Sequence, residues 1–147
     1  MYRNILLCYD GTEEGRNALT QGAEVALAMN ARTHLLAILR SSGADLAVES
    51  PGAALLYDDH QGAMRILREG VEWLKSRNID AQGQLVFGDP ASHIATCALA
   101  LGCDLIVLGH HHRSRLARWW GEADDALLLE RAPCSILVAI AGPPARV

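Results

Sequence analysis

Between Gly109 and Glu122 the chain gathers three consecutive histidines (His110, His111, His112), three arginines (Arg113, Arg115, Arg118), two tryptophans (Trp119, Trp120) and a second glycine, Gly121. Imidazoles gain charge between about pH 5 and 8, so the histidines suit a pH-dependent anion contact, or a plain solvated loop. A shared metal ion is the weaker reading. Neighbouring side chains of an extended loop alternate in direction, so at most His110 and His112 could meet one ion, and no carboxylate or Cys of metal-ligand spacing joins them. The arginines can clasp phosphate bidentately, or pair with Glu122, Asp124 and Asp125. Trp119 and Trp120 could anchor a partner or pack inward. A second polar turn, Asp10-Gly11-Thr12, follows the first apolar run; an Asp there readily bonds its own backbone. Ser92 and His93 do not form a nucleophile–base pair, because adjacent helical residues point about 100° apart. No general base for water and no Walker-type lysine is evident, which places binding ahead of catalysis, a slow ATPase coming last.

The elements that must position these residues are legible from periodicity. Asn4 to Tyr9, Thr33 to Leu39, Gln84 to Phe87, Leu105 to Leu108 and Ser135 to Ile140 are short apolar runs of the kind buried in a parallel sheet. Gly109 is expected to end the fourth run, where a backbone without a Cβ can meet a ligand closely. Helical spacing predicts a helix capped by Thr12, helped by Glu13 and Glu14, carrying Ala18, Leu19, Ala23, Ala26 and Leu27 and ending near Asn30. A second helix has Met64, Leu67, Val71 and Leu74 on one stripe and ends at about Arg77. A third starts at Asp89-Pro90, buries Ile94, Ala95, Ala98 and Leu101, and stops at Gly102. A fourth covers about Ala123 to Arg131. From Arg40 to Asp59 the periodicity vanishes, and a long surface loop with at most one helical turn is expected. Strand and helix alternate throughout, so the fold is α/β: a single doubly wound domain over residues 1–147, with helices on both faces of a five-stranded parallel sheet. Ligands of such sheets bind outside the carboxyl ends of the strands.

Bulk properties narrow the class. The chain has 147 residues, half of them hydrophobic and a fifth charged, with a net charge of −4. That size fits one domain, and the charge argues against a general nucleic-acid binder. No apolar run approaches the roughly 20 residues of a membrane span. Met1-Tyr2-Arg3-Asn4 leads straight into a strand, which gives no expectation of a signal peptide. Cys8, Cys97, Cys103 and Cys134 form no Cys-x-x-Cys pair and lie in apolar surroundings, as expected of small buried thiols in a reducing cytoplasm.

Four segments in order, Asn4-Ile-Leu-Leu-Cys-Tyr-Asp-Gly-Thr, Val86-Phe-Gly-Asp-Pro-Ala, Cys103-Asp-Leu-Ile-Val-Leu-Gly and Ala132-Pro-Cys-Ser-Ile-Leu-Val-Ala, make the chain resemble the universal stress protein (UspA-type) family from Asn4 to Ala139. The resemblance implies a strand order of 3-2-1-4-5, a stress-response role, and a homodimer that pairs through the last strand, Ser135 to Ile140. It also implies adenine-nucleotide binding, ATP with Mg, in which Asp10, Gly11 and Thr12 lie near the nucleoside and Ala37 and Ile38 face the adenine. The family's phosphate loop runs Gly-x-x-Gly, nine residues, then Gly-Ser or Gly-Thr; here it maps onto Gly109, His110, His112, Arg113, Gly121 and Glu122. Three departures follow. His112 stands at the second glycine, the spacer before Gly121 is one residue short, and Glu122 replaces the hydroxyl residue. A carboxylate at that helix start would repel a triphosphate, so an atypical, weakened ATP site is expected. The alternative is an interaction protein of the same fold that acts through its dimer and loop surfaces without nucleotide.

Overall fold

The computed structural model describes residues 1–11, 13–39, 53–111 and 122–141, with the backbone alone at 13, 14, 39, 53–59, 110, 111, 122–125 and 141. The elements follow in the order β1 (Asn4–Tyr9), α1 (Glu13–Met29), β2 (Arg32–Leu39), α2 (Ala53–Ser76), β3 (Gln82–Phe87), α3 (Pro90–Leu101), β4 (Leu105–His111), α4 (Glu122–Arg131) and β5 (Ser135–Ala141). The strands form one sheet, parallel as the alternation of strand and helix implies, in the order β3-β2-β1-β4-β5 that the family resemblance implies.

Side chains alternate across each strand, and the sheet accordingly builds two cores. Ile5, Leu7, Tyr9, Leu35, Leu105 and Val107 face α1 and α2, meeting Leu19, Ala23, Ala26 and Leu74. Leu6, Cys8, Leu36, Ile38, Ile106 and Leu108 face the other way, onto Ala91, Ile94 and Ala98 of α3 and Leu128 of α4. Both faces of the inner strands are therefore apolar, which is why their sequences show no alternation.

The helix ends follow local chemistry. Asp89 caps α3 through a bond from Ser92 N to its Oδ2 at 3.1 Å, and Gly102 closes the helix at φ 66°, with Cys103 N donating to Ala98 O at 2.8 Å. Asn30 and Asn78 take the left-handed conformation after α1 and α2.

Several expectations need correction. Of the stretch expected as loop from Arg40 to Asp59, residues 53–59 are helical, since α2 begins at Ala53; Ala53-Ala54-Leu55-Leu56 are strong helix formers, which the neighbouring Pro51-Gly52 breaker obscures in the sequence. Residues 40–52 lie outside those described. The buried stripe of α2 runs through Ala63, Gly70 and Leu74, whereas Met64 is exposed and Leu67 and Val71 are half-buried. Leu27 of α1 is 52% exposed. Gly109 does not end β4, which continues through it to His111 because β5 supplies partners as far as Ala141. β2 and β3 each start earlier than expected, at Arg32 and Gln82.

Of the thiols, Cys8 and Cys103 are buried and Cys97 and Cys134 only half-buried; all four are free. Burial pushes the Cys103 thiol up to about 12 and Cys8 beyond the ordinary thiol range, with neighbouring cysteines adding to both. Thiolate is the reactive form. Ellman's reagent at pH 8 should therefore reach at most two thiols in the folded chain and all four in denaturant; four fast thiols in the native protein would contradict this packing.

Candidate functional site

The site grows out of where the ladders stop. β1 pairs with β2 as far as Tyr9↔Ala37, and β4 pairs with β5 as far as His111↔Ala141. Between β1 and β4 pairing ends earlier, at Leu7↔Val107. The carboxyl halves of the two central strands thus part, and they do so where the connections switch direction, β1 leading to β2 on one side while β3 crosses back to β4 on the other. That is the crevice in which doubly wound sheets bind ligands.

Asp10 and Gly11 stand on one lip of this crevice. Asp10 is half-buried just past β1. Gly11 has φ +82°, and a Cβ there would come within 2.9 Å of Ile66 Cδ1 of α2, so both its conformation and the close helix call for glycine. Gly109 is half-buried on the opposite lip, inside β4, followed by His110 in the same strand. Ala37 and Ile38 are fully buried in β2. Ala37 lies between Tyr9 and Leu85, whereas Ile38 pairs only with Val86, so the β1-facing edge of β2 is without a ladder partner from Ile38 onward. Glu122 is the first residue of α4, whose opening turn carries backbone N–H groups without intrahelical acceptors. The structure therefore brings Asp10, Gly11, Gly109 and the end of β2 to one end of the sheet. Thr12, His112, Arg113 and Gly121 lie outside the described residues, as do Arg115, Arg118, Trp119 and Trp120. Among the described residues no group of three or more His, Cys, Asp or Glu could hold a metal ion, and no helix is long and apolar enough to cross a membrane.

Chemically, this arrangement suits a nucleoside: a carboxylate on a glycine turn for hydroxyl groups, free backbone on β2 for a base edge, and the start of a helix for an anionic group.

Sequence reasoning missed a polar junction at the opposite, amino end of the sheet. Asn4 Nδ2 donates to Leu101 O at 2.6 Å and Gly102 O at 3.2 Å, which turns its Oδ1 toward His34 Nε2 at 2.9 Å. Asp104 accepts from Arg3 N at 3.1 and 2.8 Å and from Asn4 N at 3.0 Å. The partners are separated by 30 to 101 positions, so no local pattern announces them.

The sequence model of the Universal stress protein family matches residues 1–139. No curated protein matches the chain. Among solved structures, universal stress protein UspA from Lactobacillus plantarum is 20% identical, with 94% of this chain and 97% of that chain covered and a TM-score of 0.71. The universal stress protein from Archaeoglobus fulgidus in complex with dAMP is 15% identical, with coverage of 93% and 97% and a TM-score of 0.67. A universal stress protein family protein from Arabidopsis thaliana with AMP bound is 12% identical, with coverage of 97% and 94% and a TM-score of 0.65. At these identities the likeness establishes the fold, and the match over 139 of 147 residues establishes the kinship: the chain belongs to the universal stress protein family.

Proposed function

We propose that this protein is a cytoplasmic, homodimeric member of the stress response that binds an adenine nucleotide in the β1–β4 crevice and holds the triphosphate of ATP weakly. The observation that carries the reading is the early end of β1–β4 pairing at Leu7↔Val107, which leaves Asp10 and Gly11 facing Gly109 across an open switch point. The dAMP and AMP complexes of structurally similar proteins support an adenosine monophosphate as the core ligand. Asp10, Gly11 and Thr12 would hold the ribose, and the backbone at Ala37 and Ile38 the base. Gly109, His110, His112, Arg113, Gly121 and Glu122 would surround the phosphate end, where any Mg would travel with ATP. The binding unit is the whole chain, residues 1–147, and it acts by binding rather than by turnover.

Isothermal titration of ligand-stripped protein tests this. AMP should bind, and Mg-ATP should bind no tighter than about micromolar. Submicromolar Mg-ATP would sink the weakened site. Silence from both nucleotides at millimolar concentration would favour the second reading, an interaction protein of the same fold. That reading draws support from the outer strand: β5 pairs only with β4 among the described residues, and Val138 and Ile140 are 45% and 50% exposed. Soluble proteins pair or cover such edges. Sedimentation at micromolar concentration should give twice the chain mass of 15.8 kDa; the single-chain mass would rule out a dimer through Ser135 to Ile140.

A further inference from the structure

We infer that α2 sets the position of the Asp10 carboxylate, and that Ile66 is the positioning residue through which the site distinguishes a ribose from a sugar without hydroxyl groups. The inference rests on the nucleotide reading above and names how that site reads its sugar.

The lip that carries Asp10 touches α2 at two points, one on each side of that residue. After Asp10, Gly11 lies directly against Ile66. A Cβ added to Gly11 would stand 2.9, 3.0 and 3.3 Å from Ile66 Cδ1, Cγ1 and Cγ2, so three atoms of one side chain close over a single α-carbon. Before Asp10, the buried Tyr9 lies against Gly70, where a Cβ would stand 3.2 and 3.5 Å from Tyr9 Cδ1 and Cε1. Ile66 and Gly70 are four residues apart and therefore follow one another on the same face of α2. The helix holds residues 9 and 11 with consecutive turns, and Asp10 is the residue between them.

α2 itself has little room to move. The Cβ that Gly70 lacks would come within 2.6 Å of Leu35 Cδ2 in β2. One at Gly83 in β3 would stand 2.8 and 3.1 Å from Val71 Cγ2 and Leu67 Cδ1. The two glycines seat the helix on two strands at contact distance, and close-packed interiors transmit displacement rather than absorb it. Ile66 is half-buried at the edge of this core and reaches past the strands to the turn. A functional group must be held within about 0.5 Å of its working position by the packing behind it. The packing of Ile66 on Gly11 thus becomes selectivity for a ligand whose hydroxyl groups donate to Asp10. A base held by the backbone of Ala37 and Ile38 depends on β2 instead, and should not feel the change.

Isothermal titration of the full chain with AMP and with its dideoxy analogue, which lacks both sugar hydroxyl groups, tests this. AMP should bind tighter than the analogue by about tenfold or more, the worth of a hydrogen bond to a charged group. In Ile66→Ala that ratio should fall to about threefold or below, with the analogue's affinity within about twofold of the parent's. Ile66→Val keeps both Cγ atoms and loses only Cδ1; it should give an intermediate ratio, and it serves as the milder variant should Ile66→Ala not fold. In an Asp10→Ala background, Ile66→Ala should leave the ratio unchanged. The amide resonances of Asp10 and Gly11 should shift in Ile66→Ala even without ligand. Equal loss of both ligands in Ile66→Ala, or a further change of ratio when Asp10 is already alanine, overturns the inference and leaves the nucleotide reading intact. A parent chain that binds neither ligand, its Asp10 and Gly11 amides still shifted by Ile66→Ala, sinks the nucleotide reading and the inference with it.

Discussion

Changing Glu122 to Ser together with His112 to Gly is expected to tighten Mg-ATP binding by about 100- to 1,000-fold, measured by isothermal titration against the parent chain. The magnitude comes from charge. Glu122 is the first residue of α4, with Asp124 and Asp125 in the same opening turn. A phosphate placed there would meet a carboxylate instead of a hydroxyl donor. Two like charges about 4 Å apart oppose each other by about 4 kcal/mol at an effective dielectric near 20. Salt screening reduces this at an exposed site, hence the lower end of the range. Serine would add a hydrogen bond and cap the helix, and glycine at 112 would remove a Cβ from the approach to the phosphates. AMP, with fewer charges and a shorter tail, should gain much less than ATP. Glu122→Gln separates the contributions: it removes the charge without restoring a hydroxyl, and should recover most of the gain. If the double variant binds ATP no better than the parent, these substitutions are not what sets the affinity.

Removing the Asn4 side chain should be the most damaging single polar truncation at the amino end of the sheet. Asn4→Ala leaves Leu101 O, Gly102 O and the His34 Nε2 proton without their partner. Unmet buried polar groups cost about 1–3 kcal/mol each, but Asn4 is half-buried and water can replace some of the bonds. A loss of about 2–4 kcal/mol is expected, which lowers the melting temperature by roughly 5–15 °C in a domain of this size. A shift under two degrees would show that the junction is solvated rather than structural.

The same junction sets an acid limit. Burial lowers the pKa of His34, and the charge of Arg32 lowers it further. The unfolded chain, with an ordinary imidazole near 6.5, therefore takes up the proton first. Stability from this group is complete above about pH 6.5 and is lost as the pH falls toward the lowered folded value. Asp104 acts in a lower window. Desolvation raises its pKa, but the backbone N–H groups of Arg3 and Asn4 outweigh this and hold it below 3.8. Its contribution is present above that value and disappears as the pH falls through the folded one. His34→Gln should flatten the slope of stability below about pH 6.5 while leaving the Asp104 limb intact. An unchanged slope would remove His34 from this account.

These positions also mark what could be read without coordinates. Asp89-Pro90 and Gly102 delimit α3 because capping depends on residues three or four places apart, and Leu105 to Leu108 declare a strand buried on both faces by composition alone. Ala53 to Asp59 reads as loop in the sequence although it is helical, since serine, glycine and proline just before it mask the helix formers. Met64 shares a helical stripe with Leu67, Val71 and Leu74 yet is exposed, because period alone leaves the buried face of a helix uncertain by one position. Gly109 marks the end of β4 in the sequence, although the strand continues to His111 because β5 accompanies it.

The sequence by itself determined the alternation of strands and helices, the caps of α3, the membership of the universal stress protein family, and the residues at the carboxyl ends of β1 and β4. All of these rest on interactions between near neighbours or on the order of segments. Tertiary structure alone decided that β1 and β4 part after Leu7 and Val107, and that Asn4, His34 and Asp104 meet. Each of these depends on register and close approach between segments tens of residues apart, which no periodicity within one segment encodes.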